Sequence, residues 1–322
     1  MSQFEDNRIG VMFRRDNPPE VLPEFARRAE QLGFAEVWVV EDCFFASGFA
    51  SAAVALTCTQ TIRVGLGIVP AVARNAAFTA MEIATLARTF PGRFLPGIGH
   101  GVTDWMKQIG AFPKSQLAAL GETSAVVRRL LAGEAVTFSG DHVHIENVKL
   151  EFPPDTVPPV ILGVRGPKSL HVAGQTADGA LLAELSSPAY VRWAREQIAA
   201  GQADAGLHSP INVTVYALCA VDQDGAAARA RLRPIIAEWL SYGQPDYVRA
   251  LGIEAEVNAL IAMGGRTRLE ADMPDSWIDH MAVVGTPDEC AASIRRLFEA
   301  GANSVVLVPD RPGIAALEAV AQ

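Results

Sequence analysis

The stretch "VLPEFARRAEQLGFAEVWVV", residues 21–40, determines the fold that the sequence predicts. From Leu22 onward its apolar residues recur at the spacing i, i+3, i+4 and i+7, which is typical of a helix that buries one face. Gly33 ends this helix, and the β-branched run from Glu36 to Val40 follows almost at once. A helix that turns directly into a buried strand belongs to an alternating β/α pattern.

The same order recurs along the chain. Thr286 and Glu289 have the spacing of a capping box, with Pro287 at the first helical position and Gly301 after the helix. Eight apolar runs predict strands buried on both faces, and they are "RIGVMF", "EVWVV", "IRVGLGIV", "RFLPGIG", "PPVILGV", "GALLAE", "INVTVYALCA" and "NSVVLVP". Eight such units predict a (β/α)8 TIM barrel; a doubly wound parallel sheet is the alternative.

Two segments exceed a minimal barrel. One is the turn-rich hairpin "AVTFSGDHVHIENVKLEF", and the other is the mainly helical stretch from Asp224 to Asp279. Each is a candidate lid over the site. We expect residues 1–322 to form one domain, because barrels of this kind reach that length.

Composition limits the partners. The chain has 27 basic and 36 acidic residues, a formal charge of −9, so we expect no nucleic acid as a partner. The uncharged stretch Cys43–Ile62 is diluted by polar and small residues, so we expect no membrane span. The N-terminus lacks the pattern of a secretory signal, and the four cysteines have no CxxC spacing, so we expect a cytoplasmic protein without disulfides.

In a barrel of this kind the active site lies just after the strands, which directs attention to "RFLPGIGHGVTDW". His100 stands between Gly99 and Gly101 there, and Trp105 follows. An imidazole at a strand end passes a proton or binds a cofactor carbonyl, or it is satisfied by backbone. The glycines indicate either a tight turn or a close ligand contact, and their spacing is not that of a dinucleotide-binding loop.

A second strand end, "PPVILGVRGPKSLHVAG", leads into a helix that begins near Pro167. The amides at such a helix start, with Arg165 and Lys168 adjacent, are suited to a phosphate. A capped helix with solvated cations explains the residues equally well. In "IRVGLGIVPAVARNAAF", Gly67 is a candidate bulge and Asn75 a candidate helix cap.

Two other polar sets have simple explanations. His142, His144 and Glu146 alternate in the hairpin, which we interpret as a solvated face, and we expect no metal. Glu41 and Asp42 precede "CFFASGFASAAVAL", where carboxylates are favoured as a helix cap. The sequence contains no GxSxG elbow and no P-loop, which disfavours simple hydrolases and NTPases.

Taken in order, "VWVVEDCFF", "VGLGIVPAVARN", "MEIATLARTFPGRFLPGIGHG" and "VRGPKSLHVAGQTADGALLAE" resemble the luciferase-like flavin-dependent oxidoreductases. The resemblance covers nearly the whole chain. It is greatest to the deazaflavin branch, which uses coenzyme F420 and includes methylenetetrahydromethanopterin reductase. It implies a bacterial luciferase-like (β/α)8 barrel and hydride transfer between the deazaflavin C5 and a small organic substrate.

The resemblance also implies roles for single residues. Gly166, Pro167 and Lys168 are expected to bind the cofactor phosphate, with Gly163, Arg165 and Gly99 nearby. A non-prolyl cis peptide bond is expected between Gly67 and Ile68, behind the ring. Similar enzymes often carry an Asp-His pair where Glu41 and Asp42 stand, and a Pro where this chain has Ala76.

Because the histidine of that pair is replaced by Asp42, His100 is the favoured proton donor or acceptor, with Asp42 and Glu41 as its alternates. Trp105 and Cys43 are expected to line the substrate pocket. The resemblance further implies a homodimer, in which the small-residue segment Ala46 to Ala55 packs against a partner. The alternatives are an FMN-dependent monooxygenase and a non-catalytic flavin-binding protein.

Overall fold

Strands and helices alternate along residues 7–322, the part of the chain that the structure, a computed structural model, describes. The strands are β1 (Arg8–Met12), β2 (Glu36–Val39), β3 (Arg63–Pro70), β4 (Phe94–Gly99), β5 (Val136–Ser139), β6 (His144–Val148), β7 (Ile161–Gly163), β8 (Gly179–Leu182), β9 (Asn212–Val221), β10 (Val283–Gly285) and β11 (Ser304–Pro309). All eight predicted runs form strands, namely β1, β2, β3, β4, β7, β8, β9 and β11. The predicted (β/α)8 TIM-barrel class is confirmed.

Although β5, β6 and β7 follow one another directly, helices lie between all eight predicted strands. They are α1 (Leu22–Gln31), α2 (Gly48–Cys58), α3 (Ala76–Thr89), α4 (Thr103–Gln108), α5 (Gln116–Leu131), α6 (Pro167–Thr176), α7 (Pro188–Asp204), α8 (Gly225–Ser241), α9 (Pro245–Leu251), α10 (Glu254–Asp272), α11 (Asp275–Met281), α12 (Pro287–Glu299) and α13 (Ile314–Val320). Within the described residues no helix has the length and apolar character needed to cross a membrane.

The chain divides into two compact units, one of which comprises Phe13–Leu181 and Gln197–Asn212. Its parallel strands follow the order β2, β3, β4, β7 and β8. The predicted hairpin is confirmed as the antiparallel pair of β5 and β6. Glu122 of α5 fixes its turn, because this carboxylate accepts hydrogen bonds of 2.9 Å from the amides of Asp141, His142 and Val143.

The second unit contains residues 7–12, Leu182–Glu196 and Val213–Gln322. Its strands follow the order β10, β9, β11 and β1 and are parallel. The predicted helical stretch is confirmed as α8 to α11, and α10 has a kink at Gly264 and Gly265. The short strand β10 was not predicted, because three residues are too few to show a period.

The capping box of α12 is present as predicted. The Thr286 hydroxyl accepts from the Glu289 amide at 3.4 Å, and the Glu289 carboxylate accepts from the Thr286 amide at 2.7 Å. Arg229 of α8 donates to the same carboxylate at 2.9 Å. The Thr286 amide and then the Arg229 guanidinium lower the pKa of Glu289 to about 2, so this carboxylate stays charged at neutral pH.

A buried polar pair fixes the register of β2 and β3. The fully buried Trp38 donates from its indole Nε1 to Glu36 at 2.8 Å, and Glu36 forms an ion pair with Arg63. Gly65 is the register partner of Trp38, and a Cβ at this position would overlap the indole ring. Glycine is required there because the ring occupies the space of a side chain.

Gly65→Ala should therefore lower the free energy of unfolding by about 1–3 kcal/mol, the usual cost of overpacking a rigid site. Gly121→Ala is the matched control, because Gly121 lies inside α5 and a Cβ there would be 3.5 Å from Val172 of α6, an ordinary van der Waals contact. Urea unfolding at neutral pH compares the two variants. Equal stability of both would contradict the role given to the indole.

Candidate active site

The predicted site residues lie within the unit Phe13–Leu181, inside β3, at the last residue of β4 and of β7, or on the segments that follow β2, β4 and β7. Parallel strands bring their carboxyl ends to one edge of a sheet, which is where barrel enzymes place their chemistry. The structure joins several of these residues into three groups, to which His100 and the residues at the start of α6 do not belong. The groups centre on the carboxylate of Glu41, the guanidinium of Arg15 and the side chain of Ile68.

Glu41 is held by its neighbours on both oxygens. Arg74 forms a two-pronged ion pair with it, with Nη2 at 2.7 Å from Oε2, and the Gly48 amide donates to Oε2 at 2.8 Å. Only 11% of the Glu41 side chain is exposed. The capping role predicted for the acidic pair thus belongs to Glu41, while its predicted catalytic role stays a prediction.

The helix that Glu41 caps is shorter than the sequence predicted. α2 begins at Gly48 and not at Cys43, so the expected helical start at "CFF" was wrong. The physical reason is the position of the cap: the carboxylate binds the amide of Gly48, seven residues along the chain. Residues 42–47 therefore form a loop at the edge of the candidate site.

Arg74 was treated as unremarkable in the sequence, and the structure gives it a central position. Besides Glu41, it approaches Glu82 of α3 with its Nε at 3.4 Å, and its guanidinium lies 5.3 Å from the Phe49 ring centre. Burial raises the pKa of Glu82, and the Glu41 charge acts in the same direction while Arg74 opposes both. The polar pair Arg74-Asn75, shortly after β3, was the available signal.

Asp42 faces a different cation. Its Oδ2 accepts a hydrogen bond of 2.9 Å from Nη1 of Arg15, in the segment after β1. The Arg15 guanidinium also lies over two aromatic rings, 5.1 Å from the centre of Phe45 and 5.7 Å from that of Trp105. Trp105, predicted as a pocket wall, is thereby brought next to Asp42. Sequence reasoning missed Arg15 altogether.

Cys43, the other predicted pocket residue, is partly buried in the same loop. Burial raises the pKa of its thiol, and the nearby charges of Glu41 and Asp42 raise it further. Because the thiolate is the nucleophilic form, this environment keeps Cys43 unreactive. The residue is suited to lining a pocket.

His100 follows β4 and is largely enclosed. Its Nδ1 is buried and has no hydrogen-bond partner among the described residues. Burial lowers the pKa of His100, and a hydrogen bond to the backbone of Gln116 acts against that shift. A neutral imidazole carries one donor and one acceptor nitrogen, so it can pass a proton or bind a polar group of a ligand.

The side chain of Ile68 accounts for two glycines of the predicted site. A Cβ on Gly163 would lie 2.6 Å from Cγ2 of Ile68, and one on Gly99 would lie 2.7 Å from its Cγ1. At Gly97 a Cβ would lie 2.3 Å from the carbonyl oxygen of Leu66 and 3.1 Å from Cγ2 of Ile68, so the backbone of β3 is the closer neighbour there. Both sequence interpretations of the β4 glycines overlooked this packing, and the cofactor contacts of Gly99 and Gly163 stay predictions.

The backbone of β3 is irregular at the same place. The pairing of β3 with β4 shifts register between Leu66 and Val69, which confirms the bulge predicted at Gly67. The peptide bond between Gly67 and Ile68 is cis, at the position that the resemblance implied, and the bond between Cys43 and Phe44 is also cis.

The start of α6 has the features of an anion site. Gly166 occupies the cap position in an extended conformation, and no side chain binds the first amides of the helix. Pro167 is the first helical residue, and the side chains of Arg165 and Lys168 are exposed beside it. The Ser169 hydroxyl donates to the Gly166 carbonyl at 3.0 Å, which steadies the turn. Unpaired amides with adjacent cations favour a phosphate.

The alternating histidines do not join this site. His144 and Glu146 are exposed on the hairpin, and Ser139 lies 3.4 Å from the His144 Nδ1. Among residues 7–322, no group of three or more His, Cys, Asp or Glu side chains has an arrangement that could hold a metal ion.

These features indicate an enzyme of the barrel class, with a candidate phosphate site and a buried imidazole nitrogen at one edge of its strands. We therefore compared the chain with known proteins of this class. Residues 4–304 match the family described as luciferase-like monooxygenase, and the chain belongs to that family. It is 33% identical to 5,10-methylenetetrahydromethanopterin reductase from Methanolobus tindarius, over 92% of this chain and 93% of the relative.

Two further relatives are informative. F420-dependent glucose-6-phosphate dehydrogenase from Kineococcus radiotolerans is 27% identical, over 89% of this chain and 86% of its own. Among solved structures, coenzyme F420-dependent tetrahydromethanopterin reductase from Methanopyrus kandleri superposes with a TM-score of 0.83. Its identity is 25%, and the superposition covers 98% of each chain.

His100 should titrate below the ordinary histidine value of 6.5, because burial penalises its charged form. A lowered pKa means that the unfolded chain binds more protons between the two values. The stability that His100 contributes is then fully present above pH 6.5 and is lost as the pH falls through the folded pKa. Proton NMR of the ring hydrogens over pH 4–8, with His100→Asn to assign the signal, measures the midpoint. A midpoint at or above 6.5 would contradict the burial described here.

Proposed function

We propose that this protein is an F420-dependent oxidoreductase that transfers a hydride between the deazaflavin and a small organic substrate. The observation that carries the proposal is the likeness over almost the entire chain to a coenzyme F420-dependent reductase. A second F420-dependent relative, with 27% identity, supports the same cofactor. Enzymes of this type are oxidoreductases, and the chain retains polar groups at the edge where such chemistry occurs.

The residues at the start of α6 fit the phosphate of this cofactor. Pro167 has no amide hydrogen, so the amides of Lys168 and Ser169 are the first free donors of the helix. The Lys168 ammonium forms no ion pair with any described residue and adds a positive charge there. The predicted contacts of Gly163, Arg165 and Gly166 belong to the same proposed site.

The bound cofactor supplies the ring carbon that accepts or donates the hydride. The protein then has to orient the substrate, exclude water and manage a proton. Of the three predicted acid–base residues, Glu41 has both oxygens engaged by Arg74 and Gly48. His100 has a buried nitrogen without a partner, so it is the proposed proton donor or acceptor.

The substrate is proposed only as a class, a small organic molecule. The two F420-dependent relatives are named for different substrates, a pterin and a sugar phosphate, while they share the family. The loops after the strands therefore determine the substrate, as in other barrels. The proposed pocket includes Trp105, Cys43 and the aromatic residues of the loop after β2.

Binding of the cofactor is tested by titrating the purified protein with F420 and, in parallel, with FMN. Lys168→Ala should weaken F420 binding about tenfold or more, because a charge-assisted contact is worth roughly 1.5–3 kcal/mol. Lys149→Ala removes the same charge from an exposed position beside the hairpin and should leave the affinity unchanged. Selective FMN binding would refute the proposal and favour the oxygen-using members of the family.

The protein is further proposed to act as a cytoplasmic homodimer of single-domain chains. The four cysteines are all free, which suits a reducing compartment. The exposed side chains of Val54 on α2 and of Phe78 and Met81 on α3 form the proposed dimer face, with Phe78 63% exposed. Ala52 and Ala55 of the predicted small-residue segment are buried within the chain itself.

Phe78→Glu should convert the dimer to a monomer, because a carboxylate in an apolar interface loses its hydration without a partner. Phe152→Glu is the matched control, since that ring is equally exposed but lies beyond the hairpin. Light scattering coupled to size exclusion reads the mass directly. If the parent protein is a monomer at micromolar concentration, the proposed homodimer is refuted.

A further inference from the structure

Arg15 has donor groups that no residue uses. Its guanidinium donates from Nη1 to Asp42 at 2.9 Å, and it forms no other hydrogen bond or ion pair with a described residue. Arginine has five N–H donors in one plane, so most of them remain available. The side chain is 48% exposed, and these donors are open to a ligand.

The plane of this guanidinium is fixed in position. It lies over the rings of Phe45 and Trp105, at 5.1 Å and 5.7 Å, while Asp42 holds one end. These contacts use one terminal nitrogen, Nη1, and the face of the guanidinium, so its other N–H groups are left without a described partner. A fixed edge of paired N–H groups matches a carboxylate, which it binds with two parallel hydrogen bonds.

Arg74 provides a comparison within the same unit. It also lies over an aromatic ring and beside a carboxylate, but both of its terminal nitrogens bind Glu41 and its Nε faces Glu82. Its side chain is 23% exposed, half the value for Arg15. The donors of Arg74 are therefore used within the protein. Arg15 has the same kinds of neighbour, an aromatic ring and a carboxylate, but most of its donors are free.

The two loops that carry the aromatic partners of Arg15 also expose other apolar side chains. Phe44 and Phe45 in the loop after β2 are 68% and 55% exposed, which is unusual for aromatic rings in a monomer. Val102 before α4 and Ile109 and Phe112 after it are exposed as well. Exposed apolar side chains gathered on loops at the active-site edge are typical of a ligand surface.

From these observations we infer that Arg15 is a substrate-binding residue that recognises a carboxylate on a planar, apolar molecule, with Asp42 as the group that positions it. The inference rests on the proposed function in one respect, since it names the substrate class of that same site. The acid bound here presents its carboxylate to the free edge of Arg15 and its apolar body to the rings of Phe45 and Trp105.

The test compares two probes of equal shape, cinnamate and cinnamamide, which differ in the charged group. Binding of each is measured by calorimetry to the cofactor-free protein and to the F420-loaded protein. Cinnamate should bind more tightly than cinnamamide by about tenfold or more, because only the carboxylate forms charge-assisted bonds. Arg15→Met should remove this preference, and Arg15→Lys should keep part of it.

Asp42→Asn is the second variant. It retains an oxygen for the Arg15 Nη1 but removes a negative charge near the bound carboxylate, so cinnamate should bind more tightly than to the parent protein. Thermal unfolding of every variant confirms that it is folded. Because this variant keeps Arg15, weaker cinnamate binding in Arg15→Met but not in Asp42→Asn is attributed to the lost guanidinium and not to a disturbed loop.

Three results would overturn the inference: equal affinity for the two probes, no cinnamate binding at millimolar concentration, or unchanged cinnamate affinity in Arg15→Met. A fall in F420 affinity in Arg15→Met, with cinnamate unaffected, would assign the residue to the cofactor and likewise overturn it. The proposed function can also fail separately. If the parent protein does not bind F420 but the cofactor-free protein still prefers cinnamate, the proposed function is refuted and the inference about Arg15 stands.

Discussion

The side chain of Ile68 is the constraint on which the arrangement of the candidate site depends. It projects from the irregular part of β3 into the space where β4 and β7 would otherwise place side chains, and Gly99 and Gly163 leave that space free. Close packing allows no second occupant, so an alanine at either glycine has to displace Ile68. His100 directly follows Gly99 and Val164 directly follows Gly163, so this contact lies next to the strand ends that carry the candidate site.

Two carboxylates that are adjacent in the sequence have different tasks in the structure. Glu41 is enclosed and bound by Arg74, and it belongs to the framework. Asp42 is more open and holds Arg15, which faces solvent. Neighbouring residues after a strand point in different directions, so one serves the core and the other the pocket. Because Glu41 alone binds the framework residues Arg74 and Gly48, the residue at position 42 can differ from the His that the resemblance implies without loss of that framework.

Much of the fold was predictable because it depends on local pattern. The stripe from Leu22 and the capping box at Thr286 are signals within a few residues, and both gave the correct elements. Candidate site residues could be proposed where a motif marks a strand end, as at His100 and Lys168, whose positions after β4 and β7 are confirmed and whose roles stay predictions. Arg15 could not be found in this way, because its partners Asp42, Phe45 and Trp105 are brought to it only by the fold. The resemblance implied the bond between Gly67 and Ile68, but the packing of Ile68 against Gly99 and Gly163 could not be found from the sequence, because these glycines lie on other strands.

The bond between Glu41 and the amide of Gly48 also has a consequence for how this protein can change. It ties together the two ends of residues 42–47, so the loop is anchored independently of its own side chains. A loop whose two ends are held together by a hydrogen bond keeps most of its conformation when its side chains are substituted. The barrel can then stay intact while several residues of this loop are substituted together, namely Asp42, Cys43, Phe44 and Phe45. A single hydrogen bond of this kind allows one fold to acquire new substrate specificities during evolution.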